Sequence, residues 1–132
     1  MALSFFMPMI PSTATFQSKG IRMVKGKPVI YESARLKASR EKLEAHLASH
    51  VPAEPYEGAL RLMTKWCFPI NGKRRDGDYK DTKPDTDNLQ KLLKDVMTKL
   101  RYWIDDAQIS SEIAEKFYAE IPGIYISVEE LG

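Results

Sequence analysis

The chain has 132 residues, of which 43% are hydrophobic and 29% are charged, and its formal net charge is +2. This composition is typical of one globular domain over residues 1–132, and it excludes an intrinsically disordered chain, which would have far fewer apolar residues. The single cysteine, Cys67, excludes an intrachain disulfide and a cysteine-rich zinc site, so we expect an intracellular, cytoplasmic protein.

The N-terminal segment is apolar and contains two prolines. Its residues from Ala2 to Ile10, bounded by Pro8 and Pro11, predict a strand at or near a sheet edge, because proline cannot donate a ladder hydrogen bond. The segment has no basic leader region and is too short to span a bilayer, so we expect no membrane role.

The next stretch, from Phe16 to Tyr31, predicts a loop or an irregular hairpin, because it contains two glycines and a proline. It carries three basic residues, Arg22, Lys25 and Lys27.

A first helix is predicted from Ser33, a candidate N-cap, to about Ser49, because Leu36, Leu43 and Leu47 recur at helical spacing. After a connector rich in proline, Ala59 to Phe68 alternates between two faces and predicts a strand. The expected core face is Leu60, Leu62, Thr64, Trp66 and Phe68.

A polar loop from Asn71 to Lys83 follows, with turn signals at two glycines and three consecutive basic residues. The basic residues are Lys73, Arg74 and Arg75.

The second helix is predicted by a buried stripe that follows the i, i+3, i+4, i+7 pattern, made of Leu89, Leu92, Leu93, Val96, Met97 and Leu100. Two alternating runs, Ile109 to Tyr118 and Gly123 to Leu131, flank a Pro-Gly pair and predict a closing hairpin. The order of elements predicts a mixed α/β (α+β) fold of two layers, with one mixed sheet and both main helices on one face.

Charge is distributed unevenly along the chain. From Lys19 to Lys42 eight basic residues face two acids, whereas from Trp103 to Gly132 seven acids face only Lys116. This asymmetry favours a polyanion partner handled by carboxylates that a metal neutralises, although solvated helix and strand faces would give the same counts.

Two carboxylates precede the second helix. Pro84 makes the chain arrive extended, so Asp85 and Asp87 can project to one side, and Lys91 lies one helical turn beyond Asp87. Asp105 and Asp106 follow the helix, and four acids placed together repel one another unless one is protonated or a metal intervenes. Oxygen ligands without cysteine select magnesium or manganese, which can activate water against a phosphodiester.

An alternative for this segment is structural. Asp87 followed by Gln90 has the spacing of a capping box at a helix N-terminus, and two acids two residues apart recur often by chance. The whole pattern is more specific: D-x-D-N-L-x-K, an amphipathic helix, and then W-x-D-D-A-Q.

The segments Asp85 to Lys91 and Trp103 to Ile109 resemble the two signatures of the RusA family of Holliday-junction resolvases. The resemblance implies a small homodimeric, Mg²⁺-dependent endodeoxyribonuclease, often carried by phages and prophages, that resolves four-way DNA junctions in recombination and repair and leaves 5′-phosphate and 3′-hydroxyl ends. Carried over by position, the catalytic residues are Asp85, Asp87, Asp106 and Lys91. The metal candidates are the same three acids with Asp105. For such a DNA substrate, the candidate contacts to phosphates are the basic residues Lys73, Arg74, Arg75, Arg22, Lys25 and Lys27.

Two other functions remain open at this point. A module that binds junctions without cutting them would keep the basic residues, and a metal-nucleotide transferase could use the D-x-D pair to hold a nucleotide diphosphate. The intact acids and lysine favour cleavage over the first, and the short chain disfavours the second.

Three further sets of residues are better explained without chemistry. We expect His46 and His50 to be a solvent-facing pair. The aromatic residues Trp66, Tyr102 and Trp103 are expected to pack in the core, and Cys67 is expected to be an inert thiol.

Overall fold

The computed structural model describes residues 2–13 and 19–132, and in them it contains six strands and two α-helices. The strands are β1 (Ala2–Pro8), β2 (Lys19–Val24), β3 (Lys27–Glu32), β4 (Leu60–Pro69), β5 (Ile109–Ala119) and β6 (Gly123–Glu130). The helices are α1 (Ala34–Leu47) and α2 (Thr86–Lys99), and short 3₁₀ turns cover Ala48–His50 and Asp106–Gln108.

Four strands form one mixed sheet in the order β1-β6-β4-β5. The pairs β1/β6 and β4/β6 are antiparallel, whereas β4 and β5 are parallel and are joined across the sheet by α2, as parallel neighbours require a crossover. The predicted mixed α+β fold, with β1 at a sheet edge, is therefore confirmed. The strands β2 and β3 form a separate antiparallel hairpin, and residues 16–18 of that prediction lie outside the described part of the chain.

The predicted hairpin of β5 with β6 is wrong. The two strands lie on opposite sides of β4, because Ala119 pairs with Pro69 while Gly123 pairs with Cys67. The short link between them therefore crosses over the end of β4. The alternation predicted both strands correctly. The hairpin does not form because the crossover through α2 makes β5 the parallel neighbour of β4, so β6 pairs with the other side of β4.

One face of the sheet carries the core. The predicted core face of β4 is buried, with Leu60, Leu62 and Thr64 at 0% exposure, and β6 contributes Ile124 and Ile126 beside it. Both helices turn their apolar stripes to this same cluster, as predicted; its helical members are Leu36, Leu43, Leu47, Leu89, Leu92, Leu93, Val96 and Met97. Each such side chain stabilises the fold by roughly 1.5–3 kcal/mol on burial.

The helix α1 begins as predicted. The Ser33 hydroxyl accepts a hydrogen bond from the backbone N–H of Leu36 at 3.1 Å, which satisfies one unpaired donor of the first turn. At the other end, the phenol of Tyr102 donates to the Leu47 carbonyl at 2.5 Å and ties this helix to the chain that follows α2. In the described ranges, neither helix is long and apolar enough to cross a membrane.

Candidate active site

Two carboxylates without a side-chain partner in residues 2–13 and 19–132 lie at the start of α2. Asp85 is the N-cap residue, with extended backbone at φ −71° and ψ 147°, yet its side chain makes no capping hydrogen bond. Asp87 follows in the first helical turn, and both side chains are exposed. The capping-box alternative is wrong, because Asp87 is not the N-cap and the Gln90 side chain bonds in other directions.

A cavity of about 380 Å³ opens beside this turn, between α2 and β5. Asp87 and Lys91 both line it, as their i, i+4 spacing predicts. Its other lining residues are Thr86, Gln90, Lys94, Glu112 and Ala114. Within residues 2–13 and 19–132, neither Asp87 nor Lys91 has a hydrogen-bond or ion-pair partner from another side chain. Both charges are therefore available to a ligand.

The rest of the cavity wall is a hydrogen-bonded chain that reaches into the core. The Gln90 carbonyl oxygen accepts from Thr64 Oγ1 at 2.8 Å and from Trp66 Nε1 at 3.0 Å, and its amide donates to Glu112 at 2.8 Å. The Lys94 ammonium donates to the other oxygen of Glu112 at 3.0 Å. Glu112 is thus a second carboxylate that lines the cavity beside Asp87, with both oxygens already bonded.

Sequence reasoning missed Glu112. Alternation in β5 places it on the same face as Ala114 and Tyr118, and that face turns toward α2. An acid on the helix-facing side of a strand was the available signal, because such a charge needs a partner.

Lys116, also on this face of β5, holds the segment before α2. Its ammonium donates to the backbone carbonyls of Thr82 at 2.6 Å and Pro84 at 2.9 Å. These bonds fix the chain one residue before Asp85. The sequence singled out Lys116 only as the lone cation of an acidic region.

The second signature forms a tight turn after α2. Asp105 is its N-cap and accepts from the backbone N–H of Ala107 at 2.9 Å, while Gln108 reaches back to the backbone N–H of Asp105. The Gln108 amide also donates to the carbonyls of Tyr56 and Gly58. Asp105 therefore has a structural partner.

Asp106, in contrast, is exposed and accepts no side-chain hydrogen bond from any residue of the described ranges. It lies at the far end of the site, because residues 109 to 116 separate it from the segment that Lys116 holds, and they span about 23 Å of strand. The helix α2 runs alongside for about 20 Å. Within the described residues of one chain, no three side chains of the metal-ligating types lie together. The four acids expected in one cluster are thus split between two ends of α2.

Comparison with known proteins agrees with the two signatures. Residues 10–129 match the family described as Endodeoxyribonuclease RusA. A crossover junction endodeoxyribonuclease of Lactococcus phage r1t is 40% identical over 119 residues, which is 89% of each chain. The chain belongs to the RusA family. It is accordingly an endodeoxyribonuclease, and the suspected resemblance is confirmed.

In this RusA-family chain, the basic loop after β4 packs at the same end of the sheet as Asp85. The Arg74 guanidinium lies 5.3 Å from the Tyr118 ring and pairs with Asp81 at 3.0 Å, and the Lys80 ammonium lies 5.0 Å from the same ring. A hydrogen bond from Thr82, together with these two cations, lowers the pKa of Tyr118. Lys73 and Arg75 are exposed in the same loop, which carries five basic residues against three aspartates.

The β2/β3 hairpin carries the other predicted DNA contacts. Arg22, Lys25 and Lys27 are exposed on it, and so are the apolar Ile21 and Met23, at 69% and 66%. Lys25 occupies the turn with a positive φ of 52°. All of these side chains face solvent.

The remaining sequence candidates have mixed outcomes. The predicted core packing of Trp66, Tyr102 and Trp103 is confirmed, because each is at most 2% exposed. The solvent-facing histidine pair is wrong: the ring of His50 stacks on that of Phe5 at 4.0 Å, and both His46 and His50 are half-buried. Burial, with a smaller contribution from Asp76, raises the pKa of the Cys67 thiol, in agreement with an inert cysteine.

Proposed function

We propose that this protein resolves four-way DNA junctions by divalent-metal-dependent hydrolysis of two symmetric phosphodiester bonds. The observation that carries the proposal is the open cavity at the first turn of α2, where Asp87 and Lys91 face the same space without partners in the described residues. A related phage protein bears the name crossover junction endodeoxyribonuclease, and the two chains align over 89% of each.

The side chains at this turn suit magnesium, with manganese as a substitute. Asp85 and Asp87 offer hard carboxylate oxygens, and Mg²⁺ commonly takes one or two carboxylates together with waters and substrate phosphates. The chemistry that such a cation supplies when bound is polarisation of the scissile phosphate and a lower pKa for water. Lys91, one turn along, stabilises the negative charge that grows on the phosphate during attack.

We propose a twofold homodimer in which each cutting site is shared. The separation of about 20 Å along α2 prevents Asp106 from reaching Asp87 of its own chain. A twofold axis brings the end of α2 in one copy to the start of α2 in the other, twice over, because the contact is isologous. Two shared sites then supply the two cuts that a four-way junction needs.

DNA is held by the positive ends of each subunit. The basic residues at the same end of the sheet as Asp85 and Asp87 are suited to bind phosphates next to the scissile bond; they are Lys73, Arg74 and Arg75. The hairpin residues Arg22, Lys25 and Lys27 extend the contact to a neighbouring arm. Such contacts release counterions, so binding falls steeply with salt. Because its substrate is DNA, the protein acts in the cytoplasm under this proposal.

The first experiment incubates the protein with a synthetic four-way junction, with and without Mg²⁺, and separates the products on denaturing gels. We expect paired symmetric nicks only with the metal. Binding without any cut under all metal conditions would instead identify a junction-binding module.

The second experiment tests the shared site by mixing two inactive variants, Asp87→Asn and Asp106→Asn. In a mixed dimer with shared sites, one site carries both substitutions and the other carries neither. The mixture should therefore regain nicking of one strand, whereas each variant alone is inactive. If each site lies within one chain, every site in the mixture keeps one substitution and no activity returns.

A further inference from the structure

Glu112 borders the Asp87 cavity but differs from the other acids at the site, because both of its oxygens are occupied. One accepts from the Gln90 amide at 2.8 Å and the other from the Lys94 ammonium at 3.0 Å. The exposed fraction of its side chain is 31%, and that of Lys94 is 21%. The ion pair is therefore partly shielded from solvent.

The orientation of Gln90 is fixed by the core. Trp66 Nε1 can only donate a hydrogen bond, and it lies 3.0 Å from the oxygen of the Gln90 amide. The Gln90 nitrogen must then point the other way, toward Glu112. Gln90 is 4% exposed, so rotating it would break buried hydrogen bonds. The carboxylate of Glu112 is thus anchored to the sheet through one buried side chain.

Because Glu112 is anchored, it is paired with one charge of the cavity and leaves the others without a partner. The cavity is lined by two lysines, Lys91 and Lys94, and by two acids, Asp87 and Glu112. The Lys94 ammonium forms an ion pair with Glu112, whereas Lys91 and Asp87 have no side-chain partner in the described residues. Removing the Glu112 charge would release a second ammonium into the cavity.

We propose that Glu112 is a positioning residue of the cleavage site: its carboxylate offsets the charge of the Lys94 ammonium, so that Lys91 is the lysine of the cavity left to act on the phosphate. The inference rests on the proposed metal-dependent cleavage, because its effect is on the charge that a divalent cation meets near Asp87. One extra positive charge at about 10 Å weakens binding of a divalent cation by roughly 15-fold when the effective dielectric constant is about 40, and screening by salt reduces this to roughly three- to tenfold.

Three variants test the charge balance: Glu112→Gln, Lys94→Gln, and the two together. Binding of Mn²⁺ alone is measured by calorimetry without DNA, and kcat, KM and the pH profile are measured on a four-way junction. We expect Glu112→Gln to weaken metal binding about three- to tenfold and to lower kcat by a similar factor, with KM unchanged or lower because the cavity is more positive.

The other two variants distinguish charge balance from a purely structural role. Lys94→Gln leaves the Glu112 carboxylate uncompensated, so metal binding should tighten, and the double variant should return to within about twofold of wild type. A structural ion pair between α2 and β5 predicts the opposite: both single variants unfold at lower temperature, metal affinity stays constant, and the double variant recovers nothing.

The outcomes separate this inference from the proposed function. If the wild-type protein neither binds Mn²⁺ nor cuts the junction, the proposed function fails and the inference falls with it. If the wild type cuts but metal affinity is the same in Glu112→Gln and Lys94→Gln, only the inference is overturned. Should Glu112→Gln fail to fold, the tightening expected for Lys94→Gln still decides the matter, because unchanged or weaker binding there contradicts the proposal.

Discussion

The Lys116 ammonium donates a hydrogen bond to the backbone carbonyl of Pro84 at 2.9 Å, and so a residue of strand β5 fixes the chain that enters α2. Asp85 follows Pro84 directly, and its backbone begins α2. The position of the first carboxylate therefore depends on β5 as much as on the helix.

Replacing Lys116 by methionine should lower kcat by about 10- to 100-fold, since displacing a catalytic group by about 1 Å can cost this much. Stability should fall by about 1–2 kcal/mol from the two lost hydrogen bonds. Steady-state cleavage and thermal unfolding measure these effects. Lys116→Arg is the matched control, because it keeps a cation that can reach the same carbonyls. Equal losses of activity in both variants would contradict a positioning role.

Asp87→Asn should lower the rate of junction cleavage by at least about 1,000-fold, because several kcal/mol of charge stabilisation are lost at 1.4 kcal/mol per tenfold. Junction binding should persist or strengthen, since a negative charge near the phosphate is removed. Asp95→Asn is the control on the same helix: Asp95 pairs with Arg40 at 2.6 Å on the surface, and such a pair is worth about 0–1 kcal/mol. Comparable cleavage by the two variants would remove Asp87 from the chemistry.

Asp105 and Asp106 should respond differently to the same substitution. Asp106→Asn should reduce cleavage at least about 100-fold with unchanged stability, because Asp106 is exposed and has no partner in the described residues. Asp105→Asn should cost less than about tenfold, since asparagine still caps the turn, whereas Asp105→Ala should lower stability by about 1 kcal/mol. Cleavage assays and denaturant unfolding distinguish them. A greater activity loss at Asp105 would show that the family signature is misaligned by one residue.

Tyr102→Phe should destabilise the fold by about 1–3 kcal/mol, because the buried Leu47 carbonyl loses its donor. Burial, with a smaller effect from Tyr56, raises the pKa of Tyr102 above that of an unfolded tyrosine. The folded state then holds this proton more tightly, so its stabilising effect is complete below about pH 10 and is lost as the pH rises further. Unfolding curves between pH 8 and 11 should fall less steeply for Tyr102→Phe than for wild type. Tyr125→Phe, on the half-buried face of β6, is the control and should change stability by less than about 0.5 kcal/mol.

The helices and the central strand could be predicted from the sequence because their signals are local. The stripe of α2 repeats within four residues, and the alternation of β4 repeats within two, so each pattern contains its own orientation. The N-cap at Ser33 is a local signal of the same kind. The pairing of β5 is different: it depends on a crossover through α2, and nothing in the alternation of a strand indicates which neighbour it has.

The candidate site was predictable in its residue types but not in its layout. The spacing of Asp87 and Lys91 fixes their shared face, because both lie on one helix. Asp106 lies beyond the other end of α2, about 20 Å away at the helical rise per residue, and the expectation of one cluster did not take this length into account. The spacing of Gln90 from Asp87 predicts a capping partner, yet the Gln90 side chain hydrogen-bonds to Trp66 and Glu112, which are distant in sequence.

The floor of the cavity has a methyl group where a larger side chain could stand. Ala114 lines the space between Asp87 and Glu112, so an isobutyl group there would occupy the volume that a phosphodiester needs while leaving every charged residue in place. Ala114→Leu should therefore give a protein that still recognises branched DNA with its native salt dependence but no longer cuts it. This variant would bind junctions without cutting them, while every charge of the wild type stays in place. Its affinity for junctions should therefore equal that of the wild type, without the rise that removal of a carboxylate can cause.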